Sequence, residues 1–123
     1  MPSIELVWAA GFFDGEGYVG VQRKRPGPRG GRWSLVLAME ITQVDERPLQ
    51  RFAAAVGCGS ITLRTSRLGP RQRPQFRWRA AHGAAERALC ALWPYLSEPK
   101  REQALCAVDA VHNDREQRAT SAA

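Results

Sequence analysis

The chain is short of the groups from which metal centres and covalent frameworks are usually built. It has two histidines, His82 and His112, far apart and without a neighbour at ligand spacing. Its three cysteines, Cys58, Cys90 and Cys106, form neither an even set nor a C-x-x-C pair. That argues against a disulfide framework and against a zinc site, and leads us to expect reduced, mostly buried thiols. No apolar run approaches the ~20 residues of a membrane helix. The first residues, MPSIELVW, carry no basic stretch ahead of the apolar one, so no signal peptide is expected. The expectation is an intracellular protein, of a bacterial cytoplasm or an organelle and not secreted, without a membrane partner.

Acid is also scarce, and unevenly so. The chain has 18 Lys/Arg against 12 Asp/Glu, a net charge of +6, and only two of those cations are lysines. Residues 18–80 hold 13 of the cations and 3 of the acids, while the remainder holds 5 and 9. A basic middle between acidic ends implies a charged face and a polyanionic partner, nucleic acid first. Arginine's planar fork suits phosphate and guanine edges. What remains is ordinary: 123 residues, 44% apolar and 24% charged, enough for one domain with one core.

Periodicity gives the elements. Ser3 is placed to cap a helix through Ile4, Leu6, Val7, Ala10 and Phe13, which Gly15 and Gly17 should stop. Residues 18–24 alternate as a half-buried strand. PGPRGG, residues 26–31, is a hairpin loop. Residues 33–42 form a second strand, with Leu35, Leu37, Met39 and Ile41 on one face and Ser34, Val36, Ala38, Glu40 and Thr42 on the other. Asp45 is expected to cap a helix that has Pro48 in its first turn and ends at Gly57. Residues 59–64 and 75–80 read as a second hairpin around a Pro/Gly/Arg loop at 67–74, with Phe76 and Trp78 inward. Two further helices are expected, at 84–93 and from Ser97 to about His112, followed by a frayed tail. The order αββαββαα suggests an α+β domain: a four-stranded antiparallel sheet with helices on one face. Gln22, Lys24, Arg64, Gln75, Arg77 and Arg79 would line the other face.

One stretch resists a purely structural reading. AAGFFDGEG, residues 9–17, puts two carboxylates at a helix C-terminus, the unfavourable end of the dipole. Gly11 and Gly15 share a helical face, which lets two copies of the helix cross. Crossed helices would bring two Glu16 side chains together, a costly pair unless a divalent cation joins them. Solvated acids after a helix end are the bland alternative. Gly15-x-Gly17-x-x-Gly20 matches a dinucleotide-binding pattern, but it would follow a helix and open a strand, the reverse of what that motif needs.

The stretch resembles the motif of the LAGLIDADG homing endonucleases: small, Gly, apolar, apolar, Asp, Gly, acid, Gly at the end of the first helix. The element order fits that family's saddle-shaped sheet. So do Ile41-Thr42-Gln43 ending the second strand, and Pro94-Tyr95-Leu96 followed by Lys100. The resemblance covers residues 6–111 and implies a single domain over 1–113 with a flexible tail over 114–123. It implies that Glu16 holds the metal, with the Gly15 carbonyl beside it. Asp14 would tie the helix end, and Gln43 would hydrogen-bond water near the scissile phosphate. Lys100, with Arg47, would stabilise transition-state charge. Tyr18, Gln22, Lys24, Ser34, Glu40, Thr62, Arg64, Gln75, Arg77 and Arg79 would face DNA, with Glu40 accepting from cytosine N4. Ala10, Gly11, Asp14 and Gly15 would form a homodimer interface. One motif per chain implies half a site, hence a homodimer on a long pseudo-palindromic double-stranded target.

The implied activity is Mg2+-dependent hydrolysis giving a staggered double-strand break, in the setting of intron or intein mobility. Mn2+ would substitute and Ca2+ would bind without cutting; no small-molecule cofactor is implied. The alternative is a non-cleaving protein of the same fold, an RNA maturase or a DNA-binding regulator.

Overall fold

The structure, a computed structural model, describes residues 3–64, 69 and 73–122. The chain runs α1 (Ile4–Glu16), β1 (Gly17–Lys24), β2 (Ser34–Gln43), α2 (Arg47–Val56), β3 (Ser60–Arg64), β4 (Gln75–Ala81), α3 (Gly83–Leu92), a 3-10 turn (Trp93–Tyr95) and α4 (Glu98–Ala122). The four strands form one antiparallel sheet in the order β1-β2-β4-β3. The 67–74 loop falls largely outside the described residues.

Alternation decides which face is covered. Val19, Leu37, Met39, Ile41, Trp78 and Ala80 point to the helices and are buried. There they meet Ala9, Ala10 and Phe13 of α1, Leu49 and Phe52 of α2, and the small side chains Ala85 and Ala88 of α3. Phe52 sits edge-on to Trp78 with ring centroids 4.7 Å apart, and Trp78 donates its indole N–H to the Cys58 carbonyl at 3.0 Å. That bond satisfies the one polar atom of a fully buried ring.

Several boundaries differ from the sequence-based expectation. Ser3 caps α1 as expected, accepting from the Leu6 N–H at 3.3 Å. The helix runs through Gly15, however, and ends only at Gly17. Gly17 has a negative φ, so left-handed backbone is not what requires it. A Cβ there would collide with the Phe13 ring, so the absence of a side chain lets β1 leave directly over the core. Asp45 is one residue early as a helix cap: Glu46 holds the N-cap position without a side-chain bond, and Asp45 accepts from the Arg47 N–H at 2.9 Å. Gly57 does end α2, in the left-handed region at φ 74°.

Val36 and Ala38 face away from the helices by register yet are both 7% exposed; Ala38 is paired with β1 and β4 on its two sides, and Val36 with Gln22 of β1. Cys90 and Cys106 are exposed and Cys58 half-buried, so the thiols are not mostly buried as expected. Their helices α3 and α4 turn Leu89, Leu92, Ala104 and Ala107 inward instead.

The largest departure is α4, expected to end near His112 and observed to reach Ala122. Beyond that point Asp114 accepts from the Leu35 N–H of β2 at 3.0 Å and from Arg118 Nε at 3.0 Å. The Leu35 amide, with Arg118 and Arg32, holds its carboxyl below the usual carboxylate range. Leu35 lies outside the stretch of β2 that pairs with β4, which begins at Ala38. The helix thus supplies an acceptor that the sheet does not.

Candidate functional site at the end of the first helix

The order of elements brings the motif to the rim of the open sheet face. Glu16 is the last residue of α1 and Gly17 the first of β1, paired with Ile41 of β2. That pairing places Gln43, at the end of β2, beside Glu16. The Gln43 amide donates to Glu16 Oε2 at 3.3 Å. Glu16 is exposed and has no cationic partner among the described residues. It is a carboxylate at the negative end of a helix, and only an amide answers it.

Asp14, two residues back, is engaged in the fold. Its carboxylate accepts from the Ser97 N–H at 3.1 Å and from Ser97 Oγ at 3.0 Å, which ties the end of α1 to the start of α4. Asp14→Ala should cost about 1 kcal/mol, as the loss of a helix cap does, read as a lowered Tm with unchanged helix content.

The same junction orders Lys100. It is buried, and its Nζ donates to the Gly17 carbonyl at 2.9 Å and to Gln103 Oε1 at 3.2 Å, with the Phe13 ring 5.6 Å away. A buried ammonium normally has a carboxylate beside it. This one has neutral oxygens and a ring, one residue from Glu16. Gln103 was not anticipated, although its i+3 spacing from Lys100 was visible. Arg47 stands elsewhere: its side chain is 85% exposed, and its Nε grips Asp45 at 3.0 and 3.1 Å. The Arg47 side chain and then its backbone N–H hold the Asp45 carboxyl down to about 2, so the pair persists through neutral pH. Arg47 makes no bond to Glu16, Gln43 or Lys100.

The open face follows the strand register. Tyr18, Glu40, Arg79 and Ser60 make one cross-strand row, Thr42, Arg77 and Thr62 the next, and Gln75 pairs with Arg64 beyond. On the other side lie Gly20–Ala38–Ala81, then Gln22–Val36 and Lys24–Ser34. Tyr18, Lys24, Thr62 and Arg64 are exposed, while Gln22, Ser34, Glu40, Gln75, Arg77 and Arg79 are half-buried. Ser60 had not been singled out. Nor had a cluster at the far end of β1, where Arg23 and Arg25 lie 4.7 and 5.8 Å from the Trp33 ring centroid.

The motif helix is apolar on every side, as a helix covered all round would be. Ala9, Ala10 and Phe13 face the core, and Ile4, Val7, Gly11 and Gly15 are exposed. Ala10, expected at a subunit interface, is instead fully buried within its own chain. Gly11 and Gly15 are open, and a Cβ at either would meet nothing within 4 Å. The glycine pattern at 15–20 follows a helix and opens a strand, the wrong setting for a dinucleotide. Among the described residues no three His, Cys, Asp or Glu converge, and no helix is long and apolar enough to cross a membrane.

No protein-family model and no curated protein matches the chain. Solved structures do. The homing endonuclease I-CvuI, in complex with its target in the presence of calcium, superposes at TM-score 0.72 with 19% identity, over 93% of this chain and 69% of that one. The group I intron-encoded homing endonuclease I-CeuI, complexed with DNA, gives 0.60 with 14% identity, over 94% and 55%. The LAGLIDADG homing endonuclease I-SmaMI, bound to cleaved DNA, gives 0.60 with 20% identity, over 80% and 33%. The chain therefore spans from a third to about two thirds of the length of these proteins. An α+β domain with an open antiparallel sheet, helices on one face and the acidic motif where the first helix meets the first strand has the fold of the LAGLIDADG homing endonucleases.

Proposed function

We propose that the chain is one half of a homodimeric, divalent-metal-dependent DNA endonuclease that makes a staggered double-strand break. The observation that carries this reading is the Glu16 carboxylate: exposed, without a cationic partner among the described residues, and held by Gln43 at the rim of a basic sheet face. Its donor set fits a hard cation. Carboxylate and carbonyl oxygens are the ligands magnesium and calcium take, and one chain offers only part of a shell. Glu16 and the Gly15 carbonyl would hold such an ion together with the same groups of a second copy. When bound, it would lower the pKa of water and stabilise the leaving 3′ oxygen. Magnesium is the expected ion, manganese a substitute, and calcium supports binding without cutting.

The chain's own residues do the rest. Gln43 orients water beside the scissile phosphate. Lys100 places positive charge behind Gly17, where charge builds on the phosphoryl oxygens. Asp14 holds the end of α1 on α4, so that Glu16 and Lys100 keep their spacing. Arg47 is occupied by Asp45 and serves as a phosphate contact rather than a catalytic one. The outward sheet residues lie in the major groove of a pseudo-palindromic target, one half-site per chain.

The test is a cleavage selection on randomised palindromic duplexes, run with Mg2+ and with Ca2+. One cut sequence enriched only in Mg2+ is the expected result. Sequences bound in both metals and cut in neither would assign the chain to a non-cleaving DNA regulator. No enrichment of any duplex would point to structured RNA, the maturase alternative.

A further inference from the structure

We propose that Glu40 is the specificity-determining residue of the sheet face: with Arg77 and Arg79 on either side, it selects a block of adjacent G·C pairs next to the cleavage centre. This rests on the DNA-endonuclease reading and names what the face would recognise.

The geometry is particular to this chain. Glu40 Oε2 lies 3.9 Å from Arg77 Nη1 and 3.9 Å from Arg79 Nε. At that distance the carboxylate attracts both guanidinium groups but takes no hydrogen bond from either. Both forks therefore stay gathered by charge, and among the described residues neither guanidinium donates a hydrogen bond. Arg77 Nε is buried and has no partner among the described residues. Glu40 pairs directly with Arg79 and is one outward step from Thr42, the partner of Arg77. Together they present a donor fork, an acceptor and a second donor fork within two neighbouring rows.

A carboxylate is misplaced on a face that meets only phosphate, since like charges repel. It is well placed against base edges. In the major groove guanine offers two acceptors, O6 and N7, which an arginine fork matches; cytosine offers the N4 donor, which a carboxylate accepts. Thymine would set its O4 acceptor against Glu40, and adenine would set N7 beside its N6 donor. Successive outward residues on a strand are about 6.7 Å apart, roughly two base-pair steps. The two rows thus span a few adjacent pairs. They are also the rows nearest Glu16, because Gly17 pairs with Ile41 between Glu40 and Thr42. The next row outward, Gly20–Ala38–Ala81, has no polar side chain of its own, and the Tyr18 hydroxyl lies over its β1 edge. That row separates the block from the contacts beyond and supplies an internal control.

The experiment is a binding selection on a randomised half-site library in Ca2+, so that cutting is not needed, with the full chain, Glu40→Gln and Arg79→Lys. The full chain should prefer G·C over A·T in the block by on the order of 10- to 100-fold. Glu40→Gln should relax the cytosine preference or move it toward adenine, within that block alone. Arg79→Lys should lose guanine preference in the same block, because a point charge replaces a fork. If the full chain is selective but Glu40→Gln binds every sequence more tightly with an unchanged profile, Glu40 only tunes charge and the proposal is wrong. If the full chain shows no selectivity for any duplex, the DNA-endonuclease reading falls, and this proposal with it.

Discussion

Glu16→Gln is expected to lower strand cleavage by on the order of a thousandfold or more and to leave DNA binding intact. The amide keeps the size of the side chain and its contact with Gln43. It removes the anionic oxygens that a hard cation needs. Metal-assisted charge stabilisation is worth several kcal/mol, and each 1.4 kcal/mol is a factor of ten in rate. Binding should hold or tighten, since a negative charge leaves the neighbourhood of phosphate. The structure itself should be unaffected, because Glu16 is exposed and bonds no cation among the described residues. Gel-shift titration in Ca2+ and single-turnover cleavage in Mg2+ separate the two effects. Cutting at the full rate by Glu16→Gln would end the proposed mechanism. Loss of binding and cutting together would make Glu16 a structural residue instead.

On the proposed function, Gly11→Leu should abolish dimerisation and, with it, double-strand cleavage. Within one chain the substitution is free of clashes, since a Cβ at Gly11 meets nothing within 4 Å. Leucine is also a better helix former than glycine by up to about 1 kcal/mol in a helix interior. The isolated chain should therefore be as stable as before, or slightly more so. The cost falls on the second copy. Gly11 and Gly15 let another backbone approach closely, and Ile4, 82% exposed, and Val7, 45% exposed, continue the apolar stripe on that side. A leucine there holds the two helices apart and separates the Glu16 carboxylates. Sedimentation velocity should show monomer, with Tm unchanged or raised. A mutant that still sediments as a dimer would move the interface off α1.

Much of the fold was legible because its signals are local. Alternation around Val19, Leu37, Met39 and Trp78 marked the covered side of the sheet, and the Gly and Pro clusters marked the turn at 26–31 and the end of α2. The acidic motif was legible as a misfit: carboxylates where the helix dipole disfavours them. What stayed hidden depends on partners distant in sequence. Lys100 could be placed near the site, but not its burial against the Gly17 carbonyl, 83 residues away. Asp114 reads as part of a polar tail until Leu35, 79 residues earlier, is seen to donate to it. Ala10 could not be told from its exposed neighbours, because α1 carries apolar residues on its open side, at Ile4 and Val7, as well as on its covered one. Arg47 read as a site residue by position, but its neighbour Asp45 claims it. The exposed thiols of Cys90 and Cys106 follow from their neighbours Leu89, Leu92, Ala104 and Ala107, which take the inward positions on α3 and α4.

α4 is fastened at its start, where Asp14 holds Ser97, and again part-way along, where Asp114 takes the amide of Leu35. A rod fixed at two separate points against a sheet stiffens that sheet as a batten stiffens a board. On the proposed function, this puts the burden of adaptation on the nucleic acid. Against a stiffened sheet the duplex must curve to meet it, and duplexes differ in how readily they curve. Flexible pyrimidine–purine steps at the centre of a target would then be favoured although no side chain touches them.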